Sequence, residues 1–123
     1  MSMRVLVTGA AGMIGRKLVA RLARDGALNG RRLAALDLHD IVGADAPAIA
    51  GTAVSIHVGD LAAPGEADRL VAAKPDVVFH LAGVVSAEAE ADFDKGYRVN
   101  LDGTRALFEA IRLAGHAPRV VFS

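Results

Sequence analysis

The stretch VTGAAGMIG, Val7 to Gly15, decides how the chain is read. A β-branched run, RVLVT (Arg4–Thr8), leads into it, and a run of helical apolar spacing leaves it. Between the two, Gly9, Gly12 and Gly15 recur at intervals of three. Glycines at a strand-to-helix turn let backbone N–H groups approach a pyrophosphate, because no Cβ intervenes. The helix N-terminus adds free donors and partial positive charge. A tight turn with close helix–strand packing uses the same residues, so the triplet alone leaves both readings open.

Two neighbouring features narrow the choice. Gly15 is followed by Arg16, Lys17 and Leu18 rather than Lys-Ser/Thr, which disfavours a Walker-type nucleotide loop. Asp37 closes the second β-branched run, 22 residues after Gly15. A dinucleotide fold puts there the carboxylate that accepts hydrogen bonds from the adenosine ribose. An ordinary strand-end turn residue is the plainer reading of Asp37. A carboxylate at this point repels a 2′-phosphate and no arginine follows it directly, so the expected cofactor is NAD rather than NADP.

Outward from the loop, short apolar runs recur: RLAALD (Arg32–Asp37), VSIHV (Val54–Val58), DVVFHLA (Asp76–Ala82) and RVVF (Arg119–Phe122). They are nearly continuous in apolar character, as strands buried on both faces of a parallel sheet must be. Ile14, Leu18, Val19 and Leu22 form one stripe of a helix over Met13–Asp25, stopped by Gly26. Glu66–Ala73 reads as a short helix. Phe93–Ala114 reads as a long one, with Tyr97, Leu101, Thr104, Phe108 and Ile111 on one face. Leu38–Thr52 has no clear period and is expected to be a surface loop or a poorly formed helix. The alternation predicts an α/β, Rossmann-type, doubly wound parallel sheet of five strands in one domain, residues 1–123.

Composition sets outer bounds. Hydrophobic residues make up 53% of the chain, enough for a substantial core and too many for a disordered segment. Fourteen basic residues balance fourteen acidic ones without clusters, so no nucleic-acid partner is expected. There is no cysteine, which excludes disulfides and cysteine-based metal or nucleophilic sites. His39, His57 and His116 show no metal-like spacing, and no metal site is expected. No run approaches a membrane span, and the expected setting is cytoplasmic.

The motifs together resemble the extended short-chain dehydrogenase/reductases, the superfamily of NAD-dependent epimerases and dehydratases. Thr8-Gly9-Ala10-Ala11-Gly12-Met13-Ile14-Gly15 resembles their TGxxGxxG signature. Gly59-Asp60-Leu61, His80-Leu81-Ala82-Gly83 and Val99-Asn100-Leu101-Asp102-Gly103-Thr104 resemble three further elements in the same order, and VVFS resembles the start of the fifth strand. The resemblance implies that Met13 and Ile14 offer main-chain donors to the pyrophosphate. Asp60 would accept from the adenine amino group, with Leu61 beside the ring. Leu81, Ala82 and Gly83 would line the cofactor, and Asn100 would contact it or order water. Plainer readings stand beside these: Asp60 as a helix cap, Asn100 as a partner for a neighbouring backbone, His80 as a satisfied core histidine.

A narrower resemblance comes from GVVSAEAEADFDKGYRVNLDGTR, Gly83–Arg105. It is similar to the D-erythronate dehydrogenases, which oxidise the C2 hydroxyl of a four-carbon sugar acid to the 2-oxo acid with NAD. Ser86 is then a candidate substrate contact, with Glu88 and Glu90 behind it. The glutamates read equally as an acidic first helical turn. The superfamily's proton transfer uses Tyr-x-x-x-Lys with a nearby Ser or Thr. The one tyrosine, Tyr97, is followed four residues on by Leu101. The catalytic groups are therefore expected past Ser123, which itself stands adjacent to the substrate side. The segment reads as the NAD-binding part of a longer dehydrogenase, inactive alone. A nucleotide-sugar epimerase or dehydratase and a non-enzymatic NAD-sensing module are the alternatives. A homodimer through the long fourth helix is implied by resemblance only.

Overall fold

The computed structural model describes residues 2–82 and 101–123. Gly83, Ser86, Glu88, Glu90, Tyr97 and Asn100 lie outside the described residues. The elements run β1 (Ser2–Thr8), α1 (Met13–Asp25), β2 (Ala27–Leu28), β3 (Arg31–Asp40), β4 (Ala53–Val58), α2 (Glu66–Ala72), β5 (Val77–His80), α3 (Gly103–Ala114) and β6 (Arg119–Phe122). Five strands pair in parallel in the order β4-β3-β1-β5-β6. The two-residue β2 adds an antiparallel pairing to the start of β3, through Ala27↔Arg32 and Leu28↔Arg31. The order turns back on itself at β1, whose neighbours are β3 and β5, so the crevice of a doubly wound sheet opens above the end of β1.

The strands are apolar on both faces because both are covered near the middle of the sheet. Met3, Val5 and Val7 of β1, Leu33, Leu36 and Leu38 of β3 and Val77 of β5 form one core with Val19 and Leu22 of α1. Leu6 and Val78 face the other way and pack with Ala67, Leu70 and Val71 of α2 and Leu107 and Ala110 of α3. Between β3 and β4 there is no helix. Residues 41–52 cross as a loop that lays Ala44 and Ile49 against the α1-side core. That is the loop expected for Leu38–Thr52, trimmed at its start.

The trimming carries the one correction that matters for the site. β3 does not close at Asp37; it continues through Leu38 and His39 to Asp40. Its neighbours hold it there: Val7 pairs Leu38, Thr8 pairs His39, and Asp40 pairs Val58 of β4. Asp37 is an interior strand residue and only 5% exposed. Its charge is compensated from adjacent strands, by Arg4 Nη1 at 2.9 Å and His57 Nε2 at 3.2 Å. From His57 the polar chain continues. Arg69 Nη1 donates to His57 Nδ1 at 2.9 Å, Arg69 Nη2 donates to Glu66 at 2.9 Å, and Glu66 Oε2 accepts from the buried His39 Nε2 at 2.9 Å. This string stitches β1, β3 and β4 to α2, and it lets two polar side chains occupy the middle of a central strand.

Candidate functional site

The glycine loop sits where β1 ends and α1 begins, and its three glycines have three different physical reasons. Gly9 has φ +75°, and a Cβ on it would lie 2.6 Å from the Leu81 carbonyl carbon and 2.7 Å from the Ala82 nitrogen. No other residue fits between the ends of β1 and β5. Gly15 is buried on the first turn of α1, where a Cβ would overlap the Gly9 carbonyl oxygen. Gly12 is different. Its φ is an ordinary −76°, and the nearest atom to a Cβ is the Gly9 oxygen at 3.4 Å. Among the described residues, then, nothing in the packing demands glycine at position 12.

Gly12 is also the N-cap of α1, and it supplies no side-chain hydrogen bond to the helix. The first intrahelical bond runs from Arg16 N–H to the Gly12 carbonyl at 2.9 Å, so the N–H groups of Met13, Ile14 and Gly15 precede the first turn's partners. No acidic residue stands in that turn. Ser, Thr, Asp or Asn is the usual N-cap, because its oxygen satisfies one of these donors. A glycine cap leaves them, and the positive end of the helix dipole, for an anion.

A second carboxylate, Asp40, stands at the end of β3 beside the glycine loop. At the end of β3 its Oδ2 accepts from the Ala11 N–H of the glycine loop at 2.9 Å, and its Oδ1 accepts from the Ile41 N–H at 2.6 Å. The Ala10 N–H donates to the His39 carbonyl at 3.1 Å, fixing the loop to the same strand end. Asp40 is half-buried and lies 25 residues beyond Gly15. A sequence signal for it existed: LDLHD carries two aspartates, and the second directly precedes the unperiodic stretch.

The remaining expected residues divide between exposed positions and core. Met13 and Ile14 project outward, 68% and 55% exposed. Asp60 Oδ1 accepts from the Ala62 N–H at 2.9 Å and the Asp60 carbonyl from Ala63 N–H, shaping the turn before α2. Leu61 is a core residue packed against Gly103 at the start of α3, with a Cβ on that glycine 3.6 Å from the leucine Cβ. Leu81 and Ala82 lie half-buried beside Gly9. Ser123 is exposed at the end of β6, its N–H donating to the His80 carbonyl at 3.3 Å.

His80 is fully buried and its ring makes two side-chain hydrogen bonds, between Nδ1 and Thr8 Oγ1 and between Nε2 and Thr104 Oγ1, each 2.7 Å. Desolvation holds its pKa below the ordinary histidine value, so it is neutral. The expectation of a satisfied core histidine therefore matches the packing. Burial alone would raise the Glu66 carboxyl. The hydrogen bonds from His39 and Arg69 outweigh it and hold the group below the usual glutamate range. Among the described residues no group of three acids or histidines is placed to hold a metal ion. Nor is any helix long and apolar enough to cross a membrane.

A parallel sheet turning back at β1, a glycine loop feeding an uncapped helix, and a carboxylate at the neighbouring strand end together define a Rossmann-type dinucleotide-binding domain. The sequence matches the NAD dependent epimerase/dehydratase family over residues 5–123, and the chain belongs to that family, whose cofactor is NAD. It is 44% identical over 128 residues to a D-erythronate dehydrogenase of Cupriavidus necator, across 98% of this chain and 38% of that protein. Among solved structures it resembles a nucleoside-diphosphate-sugar epimerase from Agrobacterium tumefaciens. There the TM-score is 0.94 and the identity 55%, covering 99% of this chain and 37% of the other. It also resembles a uronate dehydrogenase variant from the same organism, complexed with NAD. That TM-score is 0.77 with 33% identity, covering 100% and 41% of the two chains. The chain thus spans roughly two-fifths of the length of these relatives.

Proposed function

We propose that the protein is an NAD-dependent dehydrogenase of sugar acids, with D-erythronate the first substrate to test, and that the residues described here form its cofactor cradle. The observation that carries the cofactor part is Gly12: a glycine that the packing of the described residues does not require, capping a helix without a side-chain hydrogen bond to its first donors. In this reading the Met13, Ile14 and Gly15 N–H groups take the pyrophosphate and Asp40 accepts from the adenosine ribose. Asp60 borders the adenine, and Leu81, Ala82 and Gly83 line the cofactor. Asn100 is proposed to contact the cofactor or order water beside it, and Ser86 and Ser123 are the proposed substrate contacts. Bound NAD would supply a hydride acceptor; the chain's own residues bind it, orient it and exclude water around it.

The substrate proposal rests on the erythronate dehydrogenase relative and on the likeness to a uronate dehydrogenase, both named for sugar acids. The epimerase likeness supports a second reading, a nucleotide-sugar epimerase. Assay of the enzyme with NAD against D-erythronate, uronates and UDP-hexoses separates them. NADH formation with a sugar acid supports the first reading, and epimer exchange of a UDP-hexose without net NADH supports the second. A homodimer is proposed through the outer side of α3, where Leu113 is 66% exposed; sedimentation tests it. The proposed setting is the cytoplasm, tested by fractionation.

A further inference from the structure

The ends of β1 and β5 are joined by one hydrogen-bonded chain, and its polarity can be worked out. Thr8 Oγ1 accepts from the Ala82 N–H at 3.3 Å and, at 3.2 Å, shares the Leu81 N–H with the Thr8 carbonyl oxygen at 3.1 Å. With its acceptor side turned to these amides, the hydroxyl's proton meets His80 Nδ1, at 2.7 Å, as its side-chain partner among the described residues. Nδ1 must be unprotonated to receive it. The ring proton therefore sits on Nε2 and is donated to Thr104 Oγ1, also at 2.7 Å. The ring is held in plane by stacking on Phe122 at 5.5 Å and by the edge contact with Phe108 at 6.2 Å.

Three segments meet on this chain. Thr8 is the root of the glycine loop, directly before the Gly9 that lies flush against Leu81 and Ala82. Leu81 and Ala82 are the continuation of β5. Thr104 is on the first turn of α3, next to the Gly103 that packs on Leu61. An apolar side chain of similar volume would fill the space under Phe122 and stabilise the sheet as well. Only a group with one acceptor and one donor at fixed separation also sets how far apart the three segments stand.

We propose that His80, as the neutral Nε2–H tautomer, is a positioning residue for NAD: through Thr8 and Thr104 it fixes the width of the crevice between the glycine loop, the β5 end and the start of α3. This rests on the cofactor reading above. The test pairs a spectroscopic signature with affinity. Long-range 1H–15N spectra of the wild-type chain should show His80 protonated at Nε2 and not at Nδ1, with and without NAD. Isothermal titration with NAD should find His80→Phe, which keeps the ring but neither nitrogen, bound roughly tenfold more weakly. His80→Asn, whose amide oxygen still accepts from Thr8, should recover to within about threefold of wild type. An Nδ1–H tautomer, or His80→Phe binding NAD as wild type does, overturns the positioning role. Failure of the wild type to bind NAD overturns the cofactor reading instead. Should His80→Phe not fold, Thr104→Val interrupts the same chain from its far end with the ring in place. Weakening of about threefold or more then supports the proposal, and an unchanged affinity overturns it.

Discussion

Replacing Gly12 with serine should make the free protein more stable and worse at holding its cofactor. The backbone at Gly12 (φ −76°, ψ 174°) is extended, as an N-cap residue should be, and open to any L-residue. The closest approach of an added Cβ, 3.4 Å to the Gly9 oxygen, is within ordinary contact, so little strain opposes the change. Two gains follow. Serine adds a hydroxyl that accepts from the N–H of Ile14 or Gly15, worth a few tenths of a kcal/mol over a glycine cap. It also removes glycine's extra freedom from the unfolded chain, worth about 0.4–1 kcal/mol. The sum, about 0.5–1.5 kcal/mol, corresponds to a rise in Tm of roughly 2–7 °C for a domain of this size.

The same hydroxyl takes a donor intended for the pyrophosphate. Losing one charge-assisted hydrogen bond costs about 1.5–3 kcal/mol, or roughly 10- to 150-fold in Kd. Thermal unfolding without ligand and isothermal titration with NAD read the two effects separately. A Gly12→Ser protein that binds NAD as tightly as wild type would show that the α1 amides do not face the cofactor, and the reasoning from the uncapped helix would fall. Gly15→Ala provides the contrast: its Cβ overlaps the Gly9 carbonyl, so stability falls before affinity can be discussed.

The two aspartates of β3 should separate in the same assays. Asp37→Ala strands the Arg4 and His57 partners and should lower stability by about 1–3 kcal/mol, with NAD affinity of the folded fraction nearly unchanged. Asp40→Asn should weaken NAD by roughly tenfold or more and narrow the preference over NADP, read by titrating both nucleotides. If Asp37→Ala loses NAD selectively and Asp40→Asn does not, the assignment between them is reversed. Stability should also fall on acidification below about pH 6.5. The depressed pKa of His80 favours the neutral native ring, so its contribution is whole above the unfolded histidine value and is lost as pH drops towards the native one. The slope is at most about 1.4 kcal/mol per pH unit for this one group, and urea unfolding of wild type against His80→Asn at several pH values should show the variant flatter. At lower pH, below the usual glutamate value near 4.5, the depressed Glu66 carboxyl should add a second loss that Glu66→Gln removes from the pH profile.

How much of this was written in the chain depends on how far apart the partners are. Helix α1 runs Met13–Asp25 as its apolar stripe and Gly26 indicate, since both are local. β6 likewise spans the RVVF run, Arg119–Phe122. β3 overran its expected end because Asp37, His39 and Asp40 look like polar punctuation until their neighbours are known. Those neighbours are Arg4, 33 residues away, His57, 20 away, and Glu66, 27 from His39. A carboxylate in mid-strand and a carboxylate at a strand end are indistinguishable in LDLHD. What separates them is that Val7 and Thr8 of β1 go on pairing past Asp37, a fact of register between strands joined by a helix. The same holds for His80, whose role is set by Thr8, 72 residues before it, and Thr104, 24 after. Gly12 is the opposite case. Motif spacing singles out all three glycines alike, and only the packed loop reveals which one the fold can do without. A residue that the local backbone and the described packing leave unexplained, in a loop where its two companions are fully explained, supports the proposed ligand. That contrast, rather than the motif, is the physical argument for a ligand against the N-terminus of α1.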